Sequence, residues 1–166
     1  MAEPMRTWDL VSDGTEQTLA YGRRLGGLLE PGDVVLMEGQ FGAGKTVLSQ
    51  GIAQGLGVAD YVTSPSFTLI NEYRADQAHG GLRVYHIDLY RIEAAEEVLD
   101  LGLLDYLGGD GVCLVEWAER LGPLVPADYL LVTLEVIGDT TRGLRFEAFG
   151  VRHVRLLERF RNGLTG

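Results

Sequence analysis

Short apolar runs alternate with amphipathic stretches along the chain, and the two periods separate strands from helices. Val34-Val35-Leu36-Met37 and Val112-Cys113-Leu114-Val115 are unbroken apolar runs, the pattern of strands buried on both faces. Trp8 to Val11 reads as a short edge strand. Behind it Leu19, Leu25, Leu28 and Leu29 recur near helical spacing, with Ser12 or Asp13 as the cap and Pro31-Gly32 as the stop. Asp33 to Glu38 is a strand that feeds a glycine-rich turn, and Lys45 to Leu56 follows as a helix. Further strands are expected at Phe67 to Tyr73, Leu82 to Ile87, Val112 to Val115, Tyr129 to Val136 and Leu144 to Ala148, with a helical stretch over Glu96 to Tyr106. Arg152 to Arg161 closes the chain as a basic amphipathic helix, and Gly80-Gly81 and Gly108-Gly109 mark turns. The alternation predicts an α/β sandwich: a mainly parallel central sheet with helices on both faces.

Length and charge narrow the class. At 166 residues and 46% hydrophobic, the chain fits a single domain, 1–166, with a sizeable core. A formal net charge of -10 opposes broad electrostatic contact with nucleic acid, so any such contact is expected through a partner. Met1 to Asp9 lacks the apolar run of a signal peptide or membrane span, and a cytoplasmic location is expected. Cys113 stands alone, which excludes an intrachain disulfide and a cysteine metal cluster, and its apolar neighbours point to burial. His79, His86 and His153 lack metal-ligand spacing. His86 is expected to be a hydrogen-bonded strand residue or a support for Asp88.

The candidate chemistry begins at Gly39-Gln40-Phe41-Gly42-Ala43-Gly44-Lys45-Thr46, a full match to the phosphate-binding pattern G-x-x-x-x-G-K-[ST]. Lys45 is the only lysine, and every other basic residue is arginine, so this position calls for a compact ammonium. Glycines there let consecutive N–H groups approach phosphate oxygens, while the next helix points its positive end at them. Lys45 would then reach the β- and γ-phosphates and Thr46 would ligate Mg²⁺. The bland alternative is a glycine-rich turn capping an ordinary helix. A metal site also needs a carboxylate at a strand end, and Asp88 and Glu116 both close apolar runs. Thr63-Ser64-Pro65-Ser66-Phe67 lies where nucleotide sensors often sit, or is a proline turn with local caps. Arg91 could reach phosphate or pair with Glu93 or Glu96, and Trp117 is either a pocket wall or core.

Together with Asn71-Glu72-Tyr73, His86-Ile87-Asp88-Leu89-Tyr90-Arg91 and Glu116-Trp117, these segments resemble the bacterial TsaE (YjeE) ATPases over nearly the whole chain. The resemblance implies a P-loop NTPase fold, ATP and Mg²⁺ as ligands, and the partners TsaB and TsaD, with tRNA reached indirectly through that complex to form N6-threonylcarbamoyladenosine beside the anticodon. Carried over by residue, it implies a nucleotide cradle of Gln40, Phe41, Gly42, Ala43, Gly44, Lys45, Thr46 and Val47, with metal ligands Thr46 and Glu116. Lys45, Asp88 and Glu116 would serve hydrolysis, and Thr15 and Leu131 would lie near adenine. Two positions depart from the family pattern: Gln40-Phe41 replaces Asp-Leu, and Ser66 replaces the second threonine of Thr-Ser-Pro-Thr. The competing readings are a small-molecule kinase, for which no arginine-rich lid segment is evident, and a non-catalytic nucleotide switch. A guanine-specific GTPase is disfavoured because no Asn-Lys-x-Asp segment exists.

Overall fold

In the computed structural model, which describes residues 3–65 and 69–165, seven strands form one sheet. Chain order is β1 (Arg6–Ser12), α1 (Thr15–Gly26), β2 (Val34–Glu38), α2 (Lys45–Gly55), β3 (Ile70–Arg74), β4 (Arg83–Asp88), α3 (Ala95–Asp100), β5 (Val112–Glu116), β6 (Tyr129–Val136), β7 (Arg142–Phe149) and α4 (Val151–Thr165). The spatial order is β1-β7-β6-β2-β5-β4-β3.

The sheet is mixed, which corrects the expectation of a mainly parallel one. β6, β2, β5 and β4 are parallel neighbours, whereas β1–β7, β6–β7 and β3–β4 pair antiparallel. Connection length is the cause. A parallel pair needs a crossover of about a dozen residues or more, and the segments joining β3 to β4 and β6 to β7 are too short for one. The expected helix over Glu96 to Tyr106 is likewise broken: Gly102 adopts φ 69 after α3, and the chain resumes as a 3-10 turn over Leu103–Tyr106. Neither Ser12 nor Asp13 caps α1. Gly14 occupies the cap position, and the Ser12 hydroxyl is instead 2.6 Å from Thr18 Oγ1. The first residue expected of the third strand, Phe67, lies outside the described residues, as do Ser66 and Thr68.

Core packing occupies both faces. Leu25, Leu48, Ile52, Phe146, Leu156 and Phe160 join α1, α2 and α4 to one face, while Ile87, Val98, Leu103, Val115 and Leu121 fill the other. The first face contains a close helix seam, backbone to backbone: Gly22 and Gly26 of α1 lie against Leu48, Gly51 and Ile52 of α2, and Gly55 of α2 lies against Arg23 of α1. That seam fixes α2 against α1, and α2 also packs on β5, so the turn leading from β2 into α2 is held at both ends. At the sheet margins, Asp9 of β1 pairs with Arg145 across to β7 at 2.9 Å, and Glu72 of β3 pairs with Arg83 of β4 at 3.6 Å.

Candidate nucleotide-binding site

The glycine turn begins where β2 ends. Gly39 has φ 150, and a Cβ there would stand 2.6 Å from the Leu134 carbonyl oxygen, so only glycine lets the turn pass under β6. Gly44, at φ 107, is the N-cap of α2, and Lys45 and Thr46 are the first residues of that helix. Parallel registry does the rest. Met37 of β2 pairs with Glu116 of β5, and Asp88 of β4 pairs with the same Glu116. Two carboxylates and the helix start therefore meet at the C-terminal ends of adjacent parallel strands, where ligands bind in open α/β sheets.

Lys45, Thr46, Val47, Asp88 and Glu116 line one cavity of about 340 Å³, with Phe41, Gly42, Gly44, Ser64, Tyr90 and Trp117. Thr46 donates to Glu116 Oε1 at 3.0 Å and accepts from the Ser64 hydroxyl at 2.8 Å. Adjacent ligands about 2.0–2.1 Å from an octahedral Mg²⁺ stand about 3.0 Å apart, so the Thr46–Glu116 separation fits two neighbouring positions on such an ion. Among the described residues, no three His, Cys, Asp or Glu side chains gather as a metal cluster. An ion here would complete its shell with phosphate and water, as magnesium commonly does.

Lys45 is nearly buried. Its ammonium donates to the carbonyl oxygens of Gly39 and of Gln40, the latter at 2.9 Å, and sits 4.4 Å from the centre of the Trp117 ring. Burial pushes its pKa below the usual lysine range, against the pull of Glu116, Glu119 and Asp88. Asp88 shifts the other way: burial raises it, the Tyr90 N–H at 2.9 Å lowers it, and the Glu116 charge raises it further. Two groups displaced in opposite directions within one cleft are a signature of functional sites.

Trp117 resolves as a pocket wall. It is the only non-glycine with positive φ among the described residues, at 56°, a conformation that costs a bulky residue roughly 1–2 kcal/mol. The bend drops its ring beside Lys45 and against Phe41 and Tyr90, with centroids 5.2 Å away in each case. Phe41 is 67% exposed, so the cluster forms an aromatic rim at the mouth.

Not every expected residue converges. Thr15 lines a separate hollow of about 140 Å³, which shares Gly42, Gly44 and Val47 with the main cavity. Leu131 lies mid-strand opposite Leu36 and lines neither space. Ala43 is fully buried in the core, supporting the turn from beneath. Arg91 is exposed and makes no ion pair among the described residues. His86 does not support Asp88 directly: its Nε2 is 2.5 Å from Glu116 Oε2. Sequence reasoning missed Arg142, which donates to the Gly42 carbonyl oxygen at 3.1 Å and binds the carbonyls of its own hairpin turn. No local pattern could have found it, because the tether spans a hundred residues.

The fold and site define a mixed-sheet α/β protein whose glycine turn delivers a lysine and a threonine hydroxyl to a strand-end carboxylate. The chain belongs to the TsaE family: the model of the threonylcarbamoyl adenosine biosynthesis protein TsaE matches residues 12–144. It is 43% identical to the tRNA threonylcarbamoyladenosine biosynthesis protein TsaE of Bacillus subtilis over 143 residues, 86% of this chain and 87% of that one. The protein of the same name from Treponema pallidum is 39% identical over 132 residues, covering 80% and 94%. Among solved structures, the crystal structure of Bacillus subtilis YdiB superposes with a TM-score of 0.78 at 35% identity, covering 95% of this chain and 96% of that one. Among the described residues, no helix is long and apolar enough to cross a membrane.

Proposed function

We propose that this chain is a magnesium-dependent ATPase subunit that works with TsaB and TsaD to form N6-threonylcarbamoyladenosine beside the anticodon of tRNA. The observation that carries the reading is the convergence of Lys45, Thr46, Asp88 and Glu116 on one cavity at the start of α2. The family membership supports the pathway, and the cavity supports the chemistry.

Bound MgATP would supply the phosphoryl group and a metal charge to offset the negative charge that develops during transfer. Thr46 and Glu116 would hold the metal. Lys45 would leave the Gly39 and Gln40 carbonyls for the β- and γ-phosphate oxygens, and the N–H groups of Gly42 to Val47 would cradle the same tail. Asp88, which faces the cavity beside Glu116, would orient the attacking water. The adenine would lie toward Thr15, in the hollow continuous with the cradle through Gly42 and Val47.

The test is phosphate release from MgATP by the chain alone and with TsaB and TsaD, alongside modification of tRNA. Turnover is expected to be slow alone and faster in the complex, and Lys45→Ala is expected to abolish both turnover and modification. Equal, fast turnover with and without partners would overturn the partner-dependent role. Full tRNA modification by the Lys45→Ala complex would overturn the ATPase role.

A further inference from the structure

We propose that His86 is the positioning residue for Glu116, setting the orientation in which that carboxylate meets a metal; this rests on the ATPase reading above. Side chains two apart on a strand share a face, so β4 presents His86 and Asp88 on the same side. The register of β4 with β5 sets Asp88 opposite Glu116 and His86 two pairs deeper, opposite Leu114. One strand thus delivers Asp88 to the cavity and slides His86 beneath the neighbouring carboxylate.

Glu116 is 2% exposed, and a buried carboxylate needs donors. It has two among the described residues: the Thr46 hydroxyl and the His86 Nε2–H. They are not equivalent. Thr46 offers its oxygen lone pair to a metal, and once that oxygen serves as a ligand its hydroxyl no longer needs to face Glu116. His86 is fully buried behind the carboxylate and keeps its grip whichever role Thr46 plays. The imidazole's other nitrogen adds a second, independent observation: Nδ1 is buried without a hydrogen-bond partner. An apolar side chain of similar volume would fill this part of the core without that desolvation cost. The fold carries an unpaired nitrogen here because the opposite nitrogen holds Glu116.

The experiment titrates Mn²⁺, as a spectroscopic substitute for Mg²⁺, into the full chain with ATP present, for wild type, His86→Leu, His86→Gln and His86→Asn. Glutamine places an amide N–H near the position of Nε2, whereas asparagine is too short to reach. His86→Leu and His86→Asn are expected to weaken Mn²⁺ about 10–100-fold, the usual effect of losing a group that orients a metal ligand. His86→Gln is expected to stay near wild type, and metal-free ATP affinity to be unchanged in all four. Circular dichroism identifies variants that fail to fold, and the Gln–Asn pair decides the question if leucine is not tolerated. Unchanged Mn²⁺ affinity in a folded Leu or Asn variant would overturn the proposal, as would a Gln variant as weak as the Asn one. Failure of the wild type to bind Mn²⁺ with ATP would instead sink the ATPase reading, and this proposal with it.

Discussion

Replacing Gly22 with alanine puts a methyl group where α1 and α2 leave no room. A Cβ at Gly22 would stand 2.7 Å from the Leu48 carbonyl oxygen, 2.8 Å from the Gly51 Cα and 2.9 Å from the Ile52 nitrogen. All three are backbone atoms, so no side-chain rotation relieves the clash and the helices must separate. Overpacking of this kind costs about 1–3 kcal/mol, and contacts this close place Gly22 in the upper part of that range. Alanine returns about 1 kcal/mol through better helix propensity. The net loss is therefore about 1–2 kcal/mol, a fall in Tm of roughly 2–8 °C for a chain of this length. Gly27 is the internal control. It sits at φ -63, and its nearest neighbours would be 3.6 to 3.8 Å from a Cβ, so Gly27→Ala is expected to be neutral or stabilising by up to about 1 kcal/mol. Urea unfolding and thermal melts followed by circular dichroism measure both. Because α2 begins at Lys45, the Gly22→Ala protein is also expected to bind nucleotide more weakly than the control. A Gly22→Ala protein as stable as wild type would refute the argument that this seam is at its closest approach.

Two further outcomes follow from ionisable groups that partial or full burial perturbs. Asp88 is held above its ordinary carboxylate value of 3.8, burial being the main cause. A raised folded-state value favours the protonated form, so the stability it contributes is present at low pH and is lost as pH rises through that raised value. Asp88→Asn should therefore raise the urea midpoint at neutral pH, with the gain shrinking as pH falls toward 3.8, while removing turnover. A loss of stability at neutral pH would contradict this. Burial pushes the Cys113 thiol up to about 12, and its Sγ–H donates to the Tyr106 carbonyl at 2.7 Å. A thiol-specific reagent at mildly alkaline pH should leave the native protein unlabelled for as long as urea-unfolded protein takes to react fully, and equal rates would refute the burial argument.

Period and run length were enough to locate β2, β5 and the glycine turn, because continuous apolar runs and a complete motif are local signals. Strand direction was less legible. An alternating strand–helix pattern implies parallel strands, yet short connections force β3 and β7 to run antiparallel to β4 and β6. The site divided along the same line. Lys45 and Thr46 are fixed by neighbours in sequence, and Glu116 by the end of an apolar run. The His86–Glu116 and Arg142–Gly42 contacts depend on registry between distant strands, which no residue pattern encodes. Gly22, Gly26, Gly51 and Gly55 form two four-residue glycine spacings that the sequence reading passed over, because their meaning depends on the two helices touching.

The cross-strand pairs at the sheet margins bear on how this protein meets others. Asp9 and Glu72 are exposed on the two outermost strands, each beside an arginine of the adjoining strand. Another strand added to either margin would desolvate part of those ion pairs to gain its backbone hydrogen bonds, which discourages sheet-to-sheet growth and fibre formation. The helix-covered faces and the loops at the strand ends, Lys45 and Glu116 among the latter, are the surfaces free of that cost.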